Sequence, residues 1–115
     1  MKKLNLPHQE PILFAKEIES LENNIAIVNI EFTQVPTLAM LVEASAQSSA
    51  AFGNEDIKMG FLVTLKNIKL LNKAKSLRYR VKITLEHHVE TLTYFKFEVI
   101  DNDETISTGV FVIAI

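Results

Sequence analysis

Along most of this chain, apolar and polar residues alternate with a period of two, the signature of half-buried β-strands. From Ile25 to Phe32, one face carries Ala26, Val28, Ile30 and Phe32, and the other carries Ile25, Ile27, Asn29 and Glu31. Tyr79, Val81, Ile83 and Leu85 alternate with Arg78, Arg80, Lys82 and Thr84, and Phe95, Phe97 and Val99 stand opposite Lys96 and Glu98. Ile12-Leu13-Phe14-Ala15 leads into Lys16-Glu17-Ile18-Glu19 as a first strand. Gly60-Phe61-Leu62-Val63-Thr64-Leu65 begins a strand that continues to Leu71. The chain ends in Val110-Phe111-Val112-Ile113-Ala114-Ile115, apolar on both faces, with Gly109 marking a bulge or a close backbone approach. Polar turns separate these runs at Glu22-Asn23-Asn24, Asn72-Lys73-Ala74-Lys75-Ser76 and Asp101-Asn102-Asp103-Glu104, and His87-His88-Val89-Glu90 closes the strand that carries Tyr79 to Leu85. Leu6-Pro7-His8-Gln9-Glu10-Pro11 reads as an ordered turn, and Gly53-Asn54-Glu55-Asp56 as a polar loop.

One stretch breaks the alternation. Residues 36–52 are rich in helix formers, open with a proline and stop before Gly53-Asn54. A surface helix carries charges on its outer face, but this one has no Lys or Arg and a single ionisable side chain, Glu43. Apolar or small residues on every side predict burial nearly all round. A lone carboxylate there is costly unless it is hydrogen-bonded, paired or protonated. Strands joined by tight turns pair antiparallel, so the expected class is α+β: a sheet of about five to six strands wrapped round one long helix.

At 115 residues the chain is long enough for one core, and a single domain over 1–115 is expected. The hydrophobic share of 48% leaves apolar surface for a partner subunit or a lipid-like ligand. A net charge of −2 argues against nucleic acid, and the cations between Lys58 and Lys82 read as a solvated face. Without cysteine there are no disulfides, thiolate metal sites or Cys nucleophiles. The N-terminal residues lack the apolar run of a signal peptide, and no stretch reaches the length of a membrane span, so the expected compartment is the cytoplasm.

Three motifs, in order, carry a family resemblance. Glu43-Ala44-Ser45-Ala46-Gln47 resembles the Glu-Ala-x-Ala-Gln helix core of the 3-hydroxyacyl-(acyl carrier protein) dehydratases, which have the hotdog fold. Leu6-Pro7-His8-x-x-Pro11-Ile12-Leu13 is similar to their N-terminal Pro-His-x-x-Pro stretch, and Gly60-Phe61-Leu62 to a Gly-Phe-Leu-Leu element of a short branch linked to aryl polyene synthesis. The resemblance implies removal of water from a 3-hydroxyacyl thioester in fatty-acid or related acyl-chain synthesis. It also implies a site at a dimer interface. In the family one His takes the proton beside the thioester carbonyl, a helix carboxylate handles the hydroxyl, and a helix N-terminus polarises the carbonyl. The family's His lies fourteen residues before the helix Glu. Here that position is Asn29, followed by Ile30-Glu31-Phe32-Thr33, so this is a short divergent member of the pattern that lacks the usual catalytic His.

Glu43 is therefore the candidate catalytic residue, set against a structural carboxylate satisfied by backbone N–H groups or by a polar side chain across the dimer. Gln47, one helical turn on, is its candidate substrate-binding neighbour or a core amide that fixes the helix to the sheet. Thr37, Leu38 and Ala39 supply the candidate N–H groups for the carbonyl. His8 reads as a pin for the N-terminal turn. His87 and His88 point to opposite faces of a strand and cannot chelate one metal together, so neither metal nor cofactor is expected. Ser45, Ser48 and Ser49 lack a His partner for triad chemistry. Three functions stay open: a dehydratase-like lyase, a thioesterase using Glu43 as base or nucleophile, and a non-catalytic acyl-binding subunit. The expected partners are an acyl thioester on acyl carrier protein or coenzyme A, and an identical or paralogous hotdog subunit, with no nucleic acid and no membrane.

Overall fold

The computed structural model describes residues 2–3, 13–52 and 61–114. The predicted 6–11 turn with His8, the 53–56 loop, Ile12 and Gly60 lie outside the described residues.

The strands are β1 (Lys2–Lys3), β2 (Ala15–Glu22), β3 (Ile25–Glu31), β4 (Phe61–Leu70), β5 (Arg78–Val89), β6 (Leu92–Asp101) and β7 (Glu104–Ala114). They form one antiparallel sheet in the order β1-β2-β3-β5-β6-β7-β4, six long strands and one two-residue strand. β2/β3, β5/β6 and β6/β7 are hairpins, and Asn23, Glu90 and Asn102 each take a left-handed φ at their turns. Asparagine tolerates that region best after glycine, which is why polar Asn-rich turns suffice in a chain with three glycines.

β3 pairs with β5, yet the strand that follows it in sequence, β4, lies at the far edge beyond β7. The connection must pass β5, β6 and β7, and helix α1 (Leu38–Ser48) with its 3-10 extension (Ser49–Phe52) lies within it. The expected helix of residues 36–52 starts two residues late because Thr37, not Pro36, is the N-cap: its backbone is extended, and its hydroxyl accepts from the Met40 N–H at 3.2 Å.

The alternating faces fall as the periodicity predicts. Ala26, Val28, Ile30, Tyr79, Val81, Ile83, Phe95, Phe97 and Val99 are buried against the helix. Leu41, Ala44, Ser45 and Ser48 are fully buried on its inner side, and these small residues let helix and sheet approach closely. The hydroxyls of Ser45 and Ser48 donate to the carbonyls of Leu41 and Ala44 at 2.8 and 2.7 Å, which satisfies them within the helix. Burial of the helix is one-sided rather than nearly all round. Leu38, Met40, Glu43 and Ala46 are half-buried and Ala39 is exposed, because one sheet covers only one flank of a helix.

Two aromatic rows fill the core: Phe14, Phe32 and Tyr79 at one end, and Phe52, Phe95, Phe111 and Phe97 at the other, with ring centroids 4.9–5.9 Å apart. The Tyr79 hydroxyl donates to the Ser76 carbonyl at 2.7 Å and accepts from the Ser76 N–H at 3.0 Å, clamping the 71–77 loop to β5. Ser76 in turn donates to Asp101 at 2.6 Å. Gly109 is a close approach: a Cβ there would lie 2.4 Å from Ile68 Cδ1 and 2.7 Å from the Phe97 ring. Ile68 reaches this point because β4 shifts register between Lys66 and Lys69, where Asn67 takes a φ of 53°.

β4 is the sheet's edge, and its apolar residues stay accessible: Leu62, Val63, Leu65 and Leu70 are 41–53% exposed. No helix among the described residues is long and apolar enough to cross a membrane.

Two substitutions test this packing. Gly109→Ala should lower the unfolding free energy by about 1–3 kcal/mol, seen as a lower urea midpoint. An unchanged midpoint would mean that the strands part easily to admit a methyl group. Tyr79→Phe should cost about 1–2 kcal/mol through the lost loop clamp. Burial holds the Tyr79 phenol above its ordinary value of 10.0, helped by the Asp101 charge and opposed by the bonds to the Ser76 and Lys75 backbone. The unfolded phenol therefore loses its proton first, so stability falls as the pH rises past about 10. The Phe variant should lack that part of the fall.

Candidate functional site

The helix brings four of the five predicted site residues into two groups. Glu43 and Gln47 sit one turn apart, and the Gln47 Nε2 donates to the Glu43 Oε1 at 3.3 Å. The other end of the Gln47 amide faces inward: its Oε1 accepts from the Phe14 N–H at 2.9 Å and the Ala15 N–H at 3.1 Å. Gln47 is 3% exposed, so this one side chain ties the helix to the entry of β2 and fixes the Glu43 carboxylate at the same time. The geometry joins the two roles read from the sequence in a single amide.

Thr37 and Leu38 form the second group, at the helix N-terminus. The N–H groups of Leu38 and Ala39 occupy the first two helical positions and have no intrahelical acceptor, and the first turn carries no acidic side chain. They therefore present the positive end of the helix dipole to whatever lies beyond. Val35, Pro36, Thr37, Leu38 and Leu41 make one wall of an apolar groove of about 490 Å³, and Leu70, Leu71, Asn72, Lys73 and Ala74 make the other. Ala39 points away from this groove to solvent, the one predicted site residue whose side chain joins neither group.

Glu43 does not line the groove. It lies on the half-open flank of α1 with Met40 and Ala46, an apolar flank on which it is the one charged side chain. Asn29, fourteen residues before Glu43, is on the opposite face of the sheet. It lines a polar cleft of about 470 Å³ with Lys16, Glu31, Arg78, Arg80 and Asp101. There Arg78 pairs with Glu31 at 2.7 Å and Arg80 with Glu19 at 3.4 Å. Sheet and core separate Asn29 from Glu43, so the two do not form one site within a subunit.

The remaining candidates go elsewhere. His87 stacks on Tyr94 at 4.3 Å on the outer face, and the His88 Nδ1 lies 2.7 Å from the Thr93 hydroxyl on the other. Among the described residues no group of three His, Cys, Asp or Glu side chains could hold a metal ion. Ser49 donates to the Ala46 carbonyl at 2.6 Å. One residue escaped the sequence reading. Ser107 is fully buried on β7 opposite Leu70, and its hydroxyl has no hydrogen-bond partner among the described residues. A serine within an apolar terminal strand was the available signal.

No protein-family model matches the sequence, and no curated protein matches it. Solved structures do match the fold. The dehydratase heterocomplex ApeI:P from Xenorhabdus doucetiae aligns with a TM-score of 0.80 at 14% identity, covering 95% of this chain and 86% of that one. The PaaI protein of the Escherichia coli phenylacetic acid degradation operon aligns at 0.70 and 13% identity, over 86% and 82%. A hypothetical thioesterase with coenzyme A from Streptococcus pneumoniae aligns at 0.68 and 14%, over 85% and 83%.

Gln47→Leu should leave the Phe14 and Ala15 N–H groups unsatisfied and lower stability by about 2–4 kcal/mol in chemical denaturation. A loss below about 0.5 kcal/mol would mean that water replaces the amide there. The likenesses match what the helix and the antiparallel sheet describe: this chain has the hotdog fold.

Proposed function

We propose that this protein acts on acyl thioesters in the manner of the hotdog dehydratases, as one half of a two-subunit site. The observation that carries the reading is the placement of Glu43: a single carboxylate, held by Gln47, on the otherwise apolar flank of the central helix. The resemblance of Glu43-Ala44-Ser45-Ala46-Gln47 to the dehydratase helix core supports it, as does the fold's likeness to a dehydratase heterocomplex along nearly the whole chain.

In this reading Glu43 exchanges a proton with the leaving hydroxyl, and Gln47 orients it. The thioester carbonyl lies against the N–H groups of Leu38 and Ala39, capped by Thr37, so that charge developing on oxygen meets a positive dipole end. The acyl chain runs along the apolar flank of α1 that carries Met40, Glu43 and Ala46, between the two subunits. Removal of the proton beside the carbonyl needs a second base, and Asn29 cannot supply one. That base comes from a second subunit seated on the apolar flank of α1 and the open edge of β4. A strand edge with Leu62, Val63 and Leu65 exposed is a ready template for antiparallel pairing. A paralogous subunit fits the missing base better than an identical one.

A thioesterase is the second reading, and the position of Asn29 favours it. Glu43 alone can activate water for attack on the carbonyl, with the thiol as leaving group, and no second base is required.

The test follows crotonyl and 3-hydroxybutyryl thioesters for hydration, dehydration and free thiol, with the wild type and Glu43→Gln. Glu43→Gln should lower the active process about 10²–10⁴-fold without unfolding the protein. Loss of hydration supports the dehydratase reading, and loss of thiol release the thioesterase. A variant as active as wild type removes Glu43 from the chemistry.

A further inference from the structure

Residues 57–85 hold eight of the chain's twelve Lys and Arg residues and contain no Asp or Glu. The rest of the chain carries the other four cations and all fourteen carboxylates, so the net charge of −2 divides into +8 and −10. Strand register gathers part of this charge on the face of the sheet turned away from α1. In one cross-strand row, Lys82, Glu98, Thr108 and Lys69 stand side by side on β5, β6, β7 and β4. The next row holds Thr84, Lys96, Val110 and Lys66 on the same four strands. Their neighbours along the strands, Val81, Ile83, Phe97, Val99 and Phe111, are buried on the helix side.

Strands lie about 4.8 Å apart and alternate residues about 7 Å apart along a strand, so the four lysines occupy a block of about 15 by 7 Å. Lys66, Lys69 and Lys96 are exposed and Lys82 is half-buried. Glu98 is the one carboxylate in the two rows, and none of the four lysines makes an ion pair among the described residues. The half of this face toward β2 is arranged differently. There Arg78 and Arg80 are matched by Glu31 and Glu19, so the uncompensated charge is confined to the half next to the β4 edge.

We propose that this face adsorbs the protein on an anionic phospholipid bilayer, with Lys66, Lys69, Lys82 and Lys96 over the head groups and α1 turned away. A protein partner needs an apolar centre to its interface, and the one apolar side chain in the block, Val110, is half-buried. A nucleic acid is best held by arginine forks or by an open ring on which bases stack. The block has no arginine, and Tyr94 at its border is stacked on His87 at 4.3 Å and overlain by the Lys66 Nζ at 5.9 Å. Lysines spread over a sheet face, as point charges without a fork, suit a surface whose own charge is spread out. The acidic remainder of the chain does not prevent adsorption, because charges more than about 10 Å apart are screened at 0.1 M ionic strength. It orients the protein instead, since the bilayer repels the faces that carry the carboxylates. Held this way, the flank of α1 that carries Glu43 stays open on the far side of the sheet.

The probe is a vesicle of phosphatidylcholine with about 30% phosphatidylserine, set against pure phosphatidylcholine in a sedimentation assay. Wild type should bind the anionic vesicles in about 0.05 M NaCl, lose most of that binding in about 0.3 M, and ignore the neutral ones. Lys66→Gln/Lys96→Gln should lower the partition coefficient about twentyfold. Lys73→Gln/Lys75→Gln makes the same change in net charge on the 71–77 loop and should stay within about threefold of wild type. Glu98→Gln removes the carboxylate of the block and should bind about fivefold more tightly. That gain should be confined to the anionic vesicles, which a misfolded chain with exposed apolar surface would not show. Equal weakening by both lysine pairs, no gain in Glu98→Gln, salt-independent binding, or no binding by wild type overturns the proposal. So does a single-stranded oligonucleotide that binds with the same pattern across the variants while the vesicles stay unbound.

Discussion

The connection from β3 to β4 sets the terms for the rest of the molecule. The two strands are consecutive in sequence but three strands apart in the sheet, and a single helix must carry the chain across the apolar face between them. Such a helix cannot stand off the sheet without opening a void, so its inner side is made of Ala44, Ser45 and Ser48, with Leu41 as the main apolar knob. Small side chains give close approach but little grip. The Gln47 amide supplies what packing alone lacks, a directional attachment to the backbone at the start of β2. Because the same amide reaches Glu43, the support of the fold and the placement of the candidate carboxylate are one interaction.

Much of this architecture was legible in the sequence because period-two alternation states directly which face of a strand is buried. Ala26, Val28 and Ile30, then Tyr79, Val81 and Ile83, identified the inner face. Gly109 announced a tight contact without saying with what; the answer, Ile68, depends on a register shift in β4 that no local pattern encodes. The absence of Lys and Arg from residues 36–52 correctly marked a helix with a buried side. It overstated the burial, because composition cannot tell a flank covered by a sheet from an apolar flank left open. The candidate site was half legible. The spacing of Glu43 and Gln47 gave their contact, in which Gln47 donates, whereas its role as acceptor from the β2 entry joins residues more than thirty positions apart, beyond any sequence rule. Strand parity put Asn29 on the face opposite Ala26, Val28 and Ile30, but its separation from Glu43 appears only once the helix is packed on that other face.

Acidic and basic residues are distributed by a different logic from the core. The β-strand pattern requires only that polar side chains face outward; it does not require that cations gather over residues 57–85 while carboxylates are absent from that segment. Where the segregated charges meet, as in Arg78–Glu31 on the neighbouring strands β5 and β3 and Arg80–Glu19 across β3, they are exposed pairs of small energetic value. Their arrangement thus bears on encounter with other molecules more than on stability.

The serine hydroxyls on the inner side of α1 have a consequence for how a reaction here would be organised. Turned back to the carbonyls of Leu41 and Ala44, they leave the helix no polar foothold that could be exchanged for another, and full burial leaves no room to rotate or slide. Glu43, on the opposite side of the same rigid rod, inherits that immobility. The entropy of positioning a carboxylate against a reacting group is then settled when the chain folds, not each time a substrate arrives.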